Sequence, residues 1–189
     1  MRIATLAVVT PTIENKVAVI GLGKLGSAYA ALLAENGFEV AGYDTSKKVI
    51  SSLNSGSMPG FEPGMQELIG RNQQRLTATN DVDAAVRGST LCFVVVPTPS
   101  EESGEFSNDF LLEAIREIGV SLRESAAPCT VVVVSTVSPG SCEGVLIPEL
   151  EASSGRRLGS KLGFVYSPLF VALGTVVSNL QHPDLVLVG

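Results

Sequence analysis

Hydrophobic residues in this chain fall into short continuous runs, separated by longer stretches in which apolar and polar positions alternate with helical spacing. Two of these runs, residues 91–96 and 131–134, are apolar at every position. A strand that is apolar throughout is typical of a parallel sheet buried on both faces by helices. We therefore predict an α/β fold with a doubly wound, mostly parallel sheet and helices on both faces.

The alternation also predicts where the elements lie. Strands are expected at residues 16–20, 38–43, 75–78, 90–95, 130–134, 162–166 and 184–188. Helices are expected at residues 24–36, 45–54, 62–70, 80–86, 108–122 and 141–152. Two longer loops, at 56–64 and 97–108, contain Pro and Gly. Ligands of an open α/β sheet lie beyond the carboxyl ends of its strands, so the second loop is a candidate ligand contact.

Three glycines follow the first predicted strand at G-x-G-x-x-G spacing: Gly21, Gly23 and Gly26. The first permits a tight turn, the second lets a pyrophosphate approach the backbone, and the third lets a helix pack closely on the strand. The free N–H groups at the start of that helix, with its positive dipole end, bind phosphate without a cationic side chain. This pattern predicts a Rossmann-type dinucleotide site.

Asp44 ends the second predicted strand, about 20 residues after the glycines, where an acid accepts hydrogen bonds from the adenosine ribose. Its charge would repel the 2′-phosphate of NADP. Lys47 and Lys48 would attract that phosphate, unless they form only a solvated first turn of the next helix. On balance we expect NAD rather than NADP.

Two threonines follow strands that end at the same predicted edge. Thr98 follows Pro97 after the fourth strand, and Thr136 follows the fifth. Both are placed to meet a nicotinamide ribose or ring. A simple turn or cap hydroxyl is the other interpretation, and position alone favours neither.

Composition excludes several classes of partner. The chain has 189 residues, a net charge of −6 and no Trp, which argues against nucleic acid or an anionic membrane surface as the main partner. Residues 1–15 contain an apolar stretch shorter than a membrane span that runs directly into the first strand. We expect a disordered or surface-packed leader there, followed by one domain over 16–189.

The three cysteines have no metal or redox spacing. Cys92 lies inside an apolar run and is expected to be a buried hydrophobe. Cys142 lies near a predicted helix start, where a thiol pKa can be lowered. Because no base is predicted beside it, we do not expect it to be reactive. Free cysteines in this number fit a cytoplasmic location.

Several short segments of the chain, taken together, resemble the N-terminal NAD-binding domain of the UDP-glucose/GDP-mannose dehydrogenase family. The matching segments are residues 21–26 (GLGKLG), 59–64 (PGFEPG), 77–81 (TATND), 96–99 (VPTP), 135–140 (STVSPG), 166–168 (YSP) and 182–189 (HPDLVLVG). Members of this family oxidise the C6 alcohol of a nucleotide sugar to a carboxylate with two NAD, through a thiohemiacetal and a thioester on a cysteine.

The resemblance implies a set of site residues. The pyrophosphate would be bound by residues of the glycine turn, namely Gly21, Gly23, Lys24, Leu25 and Gly26. Asp44 and Lys48 would hold the adenosine end. Pro97 and Thr98 would lie along the nicotinamide, and Thr136 would orient the ring or the catalytic water.

Two departures from the family pattern matter. Where the family reads P-E-F-L-R-E-G, Leu169 and Leu173 replace both glutamates, and a leucine can neither accept a proton nor polarise water. The family's central helix, sugar-nucleotide domain and cysteine segment are also not found. The resemblance therefore implies a domain that binds NAD without turnover and engages the nucleotide sugar only with the missing domain. A monomer or weak dimer is expected, because family dimers use the central helix.

Two alternatives remain open. A β-hydroxyacid dehydrogenase relative shares a similar first βαβ unit, although the segments at 61–64 and 96–99 argue against it. A non-catalytic NAD-binding module acting through a partner is favoured by the two leucines.

Overall fold

A computed structural model of the chain describes residues 16–58, 62–159, 161–172 and 174–189. The predicted leader at 1–15 lies outside these residues. So do Leu173 and the first half of the predicted 59–64 segment.

The described residues form a sheet of six strands, and every neighbouring pair is parallel. The strands are β1 (Lys16–Ile20), β2 (Glu39–Tyr43), β3 (Leu76–Thr79), β4 (Leu91–Val94), β5 (Cys129–Val133) and β6 (Leu162–Tyr166). Their order is β3-β2-β1-β4-β5-β6. The chain thus reverses its direction of winding between β1 and β4, which is where a doubly wound sheet binds its ligand. The predicted Rossmann-type α/β fold is confirmed.

Helices connect these strands. They are α1 (Lys24–Glu35), α2 (Lys47–Asn54), α3 (Met65–Asn72), α4 (Val82–Val86), α5 (Asp109–Arg123), α6 (Ile147–Ser154) and α7 (Val176–Gln181). A π-helical turn over Cys142–Leu146 leads directly into α6. If the π-helical turn is counted as the start of α6, each predicted helix is found to within three residues at either end, whereas α7 was not predicted.

Alternate residues of the strands enter two separate cores. In β1, Val17 and Val19 pack on one face with α1, α3 and α7, and Ala18 and Ile20 pack on the other with α4, α5 and α6. All four side chains are at most 1% exposed. Burial on both faces explains why the strand sequences lack polar alternation.

The prediction of a strand at 184–188 is wrong. Residues 184–189 run beside the end of β6, but the backbone bonds described there join only Gly189 and Tyr166, in both directions at 2.8 and 2.9 Å. The side chains of the apolar run from Leu185 to Val188 are 41–68% exposed. An apolar run predicts a strand only when a neighbouring strand offers a continuous ladder, and here the pairing stops after one residue.

Candidate functional site

Two of the three motif glycines are required by the protein itself. Gly21 follows β1 with a φ of 92°, and a Cβ there would lie 2.3 Å from the carbonyl oxygen of Val95. A Cβ at Gly26 would lie 1.8 Å from the carbonyl oxygen of Gly21. The turn after β1 therefore packs against both the end of β4 and the first turn of α1, with no room for a larger side chain at either position.

Gly23 differs from both, because a Cβ there would meet no protein atom within 4 Å. It is the N-cap of α1 and provides no side chain to cap the first N–H groups of that helix. Lys24 follows it and is exposed. The helix start is thus open toward the cleft at the one motif position where the fold does not require glycine, as expected if a ligand occupies that space.

Asp44 is fixed in place by two backbone N–H groups. Its Oδ2 accepts the N–H of Leu22 at 2.8 Å, and its Oδ1 accepts the N–H of Ser46 at 2.7 Å. The N–H of Gly21 donates to the carbonyl oxygen of Tyr43 at 2.9 Å. Because a carboxylate has about four acceptor positions, two stay available for a ligand hydroxyl pair.

A cleft of about 610 Å³ opens beside these residues at the carboxyl edge of the sheet. All predicted site residues but one line it: Gly21, Gly23, Lys24, Leu25, Gly26, Asp44, Pro97, Thr98 and Thr136. The exception is Lys48, which lies exposed in the first turn of α2, outside the lining. The fold therefore brings the glycine turn, the acid after β2 and the two threonines to one cavity.

The side of the cleft after β4 and β5 is organised by Ser135, which the sequence analysis did not single out. Its hydroxyl accepts the N–H of Val96 at 2.9 Å and donates to the carbonyl oxygen of the same residue at 2.7 Å. Ser135 is buried, whereas Thr136 is exposed and Thr98 is half-buried. One serine thus joins the loop that carries Thr98 to the loop that carries Thr136.

Helix α5 forms a further wall that the sequence analysis missed. Four of its residues, at helical spacing, line the cleft: Phe110, Glu113, Ala114 and Glu117. Burial raises the pKa of the Tyr43 hydroxyl at the end of β2, and the nearby Glu117 raises it further. This end of the cleft is therefore acidic. The spacing was visible in the sequence, but packing decides which face of α5 meets the cleft.

None of the three cysteines lines the cleft. Burial raises the pKa of the Cys92 and Cys129 thiols, the latter to about 11. Burial, together with Glu143, also raises the pKa of Cys142. The suggestion that the helix start lowers this pKa is therefore wrong: the residue opens a π-helical turn and its thiol is partly buried beside a carboxylate.

The described residues contain no cluster of His, Cys, Asp and Glu that is arranged to hold a metal ion. Within the same residues, every helix is too short or too polar to span a bilayer. Leu169, where the resemblance led us to expect a glutamate, lines the cleft. Its counterpart at position 173 lies outside the described residues.

Comparison with known proteins shows which family this chain is similar to. Residues 15–189 match the UDP-glucose/GDP-mannose dehydrogenase family, NAD binding domain. The chain is 36% identical over 176 residues to GDP-mannose 6-dehydrogenase of Pseudomonas aeruginosa, covering 92% of this chain and 40% of that protein. It is 34% identical over 175 residues to a UDP-glucose 6-dehydrogenase of Haloferax volcanii, with the same coverage.

Solved structures agree with this assignment. A ternary complex of GDP-mannose dehydrogenase from Pseudomonas aeruginosa superposes with a TM-score of 0.88 at 35% identity, over 92% of this chain and 40% of that chain. A UDP-glucose dehydrogenase from Pyrobaculum islandicum gives 0.87 at 29% identity, over 96% and 42%. The chain thus spans about two fifths of the length of these relatives. Because the family match covers residues 15–189 and the fold agrees with it, the chain belongs to the UDP-glucose/GDP-mannose dehydrogenase family and forms its NAD-binding domain.

Proposed function

We propose that this domain holds NAD for the oxidation of the C6 alcohol of a nucleotide sugar to a carboxylate. The relatives named above are GDP-mannose and UDP-glucose 6-dehydrogenases, which supports this class of substrate. One observation carries the proposal: Asp44 is bonded to the glycine turn at Leu22, beside a Gly23 that faces open space. This bond supports an arrangement in which the ribose and pyrophosphate contacts belong to one hydrogen-bonded unit.

In this proposal the glycine turn binds the pyrophosphate. The backbone N–H groups of Lys24, Leu25 and Gly26 are in the first turn of α1, where they carry the positive end of the helix dipole. Gly21 and Gly23 let the backbone approach the phosphates. This arrangement needs no buried cation, in keeping with the exposed position of Lys24.

Asp44 would accept the adenosine ribose hydroxyls with the acceptor positions that Leu22 and Ser46 leave free. Its charge, with the acidic face of α5, disfavours a 2′-phosphate and so favours NAD over NADP. Lys48 is proposed to approach the same end from the first turn of α2, although its side chain does not contribute to the lining of the cleft.

Pro97, Thr98 and Thr136 are proposed to lie along the nicotinamide. When bound there, NAD supplies the hydride acceptor. The hydroxyl of Thr136 would orient the ring or a water molecule, and Ser135 would keep the two threonine loops at a fixed separation. These residues bind and orient; they are not expected to transfer a proton.

By itself the 189-residue chain is proposed to bind NAD without turnover. A covalent step of the kind described above needs a thiolate in the cleft, whereas the three thiols of this chain lie elsewhere and have raised pKa values. Leu169 lines the cleft and has no acid–base chemistry. Binding of the nucleotide sugar would need residues that this chain does not place in the cleft.

We further propose that residues 16–189 act as one unit behind a leader at 1–15, as a monomer or weak dimer in the cytoplasm. The three free cysteines and the net charge of −6 support the compartment and the absence of nucleic acid as a partner. A second candidate, a non-catalytic NAD-binding module, is favoured by the Leu169 side chain in the cleft.

The test is a fluorescence titration of the purified chain with NADH, followed by displacement with NAD and with NADP. We expect saturable NADH binding, displacement by NAD and weaker displacement by NADP. A parallel assay with NAD and GDP-mannose or UDP-glucose is expected to produce no NADH. Binding without displacement by NAD would contradict the proposal, and turnover would contradict the assignment of an inactive isolated chain.

A further inference from the structure

The family-like segment at 59–64 contains a buried carboxylate that the cleft does not use. Glu62 is 5% exposed, and a carboxylate at that depth must be paired to be tolerated. Its Oε1 accepts the N–H of Val176 at 2.8 Å, and its Oε2 accepts the N–H of Gly174 at 3.1 Å. These partners are 114 and 112 residues further along the chain. Both oxygens therefore accept backbone N–H groups, one just before α7 and one at its first residue.

The segment that Glu62 holds connects β6 to α7, and we call its described residues, 167–172 and 174–175, the strap. At its start the N–H of Ser167 donates to the carbonyl oxygen of Val133 at 2.9 Å. Near its end Thr175 and Asn179 form a side-chain hydrogen bond of 2.7 Å. Between these two anchored ends, Leu169 lines the cleft and packs against the core on the α1 side.

Glu62 itself is rigidly placed. It lies two residues before Gly64, the N-cap of α3, whose φ of 76° is left-handed. A Cβ at Gly64 would come within 3.9 Å of Val177 in α7, so the starts of α3 and α7 lie close together. The carboxylate thus bridges two elements packed on the same face of the sheet.

We propose that Glu62 is a positioning residue that holds the strap across the cleft, so that Leu169 covers the nicotinamide end. This inference rests on the proposed function only in placing the nicotinamide beside Leu169. Loss of the carboxylate removes the bonds that tie the end of the strap to the segment before α3. It leaves the glycine turn and Asp44 untouched, because those residues have their own bonds. Glu62 then affects how the ring is held, and not how the pyrophosphate or the adenosine is held.

ADP-ribose separates these two effects, since it carries the adenosine, the pyrophosphate and the second ribose but no nicotinamide. The experiment is calorimetric titration of NAD and of ADP-ribose into the full chain and into the variants Glu62→Ala and Glu62→Gln. Glu67→Gln is the matched control, because it removes an exposed carboxylate from the first turn of α3. The wild-type chain should bind NAD more tightly than ADP-ribose.

In Glu62→Ala we expect NAD affinity to fall about tenfold, toward that of ADP-ribose, with ADP-ribose affinity within about twofold of the wild-type value. Glu62→Gln keeps one acceptor oxygen, so its NAD affinity should lie between those of the wild-type chain and Glu62→Ala. The control should change neither affinity. Three results would overturn the role of Glu62. In the first, the variant loses affinity for NAD and for ADP-ribose equally; in the second, it loses affinity for neither. In the third, the wild-type chain binds the two ligands equally tightly. A wild-type chain that binds neither ligand would instead overturn the proposed function.

Hydrogen exchange distinguishes a freed strap from an unfolded variant. We expect faster exchange at the amides of Gly174 and Val176 in both Glu62 variants, with the amides of β1 and β4 unchanged. If Glu62→Ala exchanges rapidly throughout, the comparison of ligands rests on Glu62→Gln. Unchanged exchange at the amides of Gly174 and Val176 would overturn the proposal.

Discussion

The backbone N–H of Leu22 donates to Oδ2 of Asp44 at 2.8 Å and thereby joins the glycine turn after β1 to the acid after β2. Leu22 is fully buried, with its side chain under Gly42. The same carboxylate accepts the N–H of Ser46. Asp44 is therefore hydrogen-bonded to the glycine turn. In our proposal the same carboxylate also accepts the ribose hydroxyls, so that the two halves of the proposed NAD site are preorganised together.

This double role predicts the behaviour of Asp44 variants. Asp44→Ala should weaken NAD binding by about 1.5–3 kcal/mol, the range for a hydrogen bond to a charged group, and should narrow the ratio of NAD to NADP affinity because the repulsion of the 2′-phosphate is lost. Asp44→Asn keeps an acceptor for Leu22 and should retain more NAD affinity. Parallel titrations with both cofactors check this, and an unchanged ratio would remove the ribose assignment.

The glycines predict opposite outcomes for two substitutions in one motif. Gly23→Val should abolish NAD binding, because its side chain fills the ligand space, and should leave the melting temperature nearly unchanged, because no protein atom lies within 4 Å of a Cβ there. Gly26→Ala should lower the melting temperature, since its Cβ would meet the carbonyl of Gly21. Thermal melts and NAD titrations of both variants test this contrast. Unchanged NAD affinity in Gly23→Val would rule out the site.

Ser135→Ala should destabilise the chain by about 0.5–1.5 kcal/mol, because it removes the side-chain acceptor of the partly buried N–H of Val96. Thr136→Ala is the matched control: the neighbouring residue is exposed and should change the free energy of unfolding little. Urea denaturation of the two variants measures the difference. Equal stabilities would show that Ser135 does not join the two loops.

The raised pKa values of the thiols predict that the free energy of unfolding depends on pH. A raised folded pKa keeps a thiol protonated, so its contribution to stability is complete below the unfolded pKa of about 8.5 and is lost as pH rises through the folded value. For Cys129 that window extends to about 11. A thiol reagent at neutral pH should therefore label the native chain slowly, first at the partly exposed Cys142, and all three cysteines after unfolding. Rapid labelling of Cys129 in the folded chain would contradict its burial.

The sequence predicts the elements of this fold well where local pattern decides them. The apolar runs at 91–96 and 131–134 became β4 and β5, and the glycine spacing marked the turn at Gly21. The hydrophobic pattern failed where contacts between residues distant in the sequence decide the secondary structure. The run at 184–188 lacks a continuous ladder beside β6. Helix α7 is short and begins at Val176, whose N–H is accepted by Glu62.

The same limit applies to the site. Asp44 and the threonines were predicted because their chemistry follows from their position at strand ends. The α5 residues Glu113 and Glu117 were missed, because helical spacing shows that they share a face but packing shows which way the face turns. Lys48 was assigned to the adenosine end by resemblance, although its position also allowed a solvated first turn, and it lies outside the cleft lining.

The most direct test of the central claim is calorimetric titration of the purified 189-residue chain with NAD, with NADP as the parallel control. We predict saturable one-to-one binding that favours NAD and that disappears in Gly23→Val. Absence of binding, or equal affinity for NAD and NADP, would contradict the account of the glycine turn and Asp44 as a working NAD site.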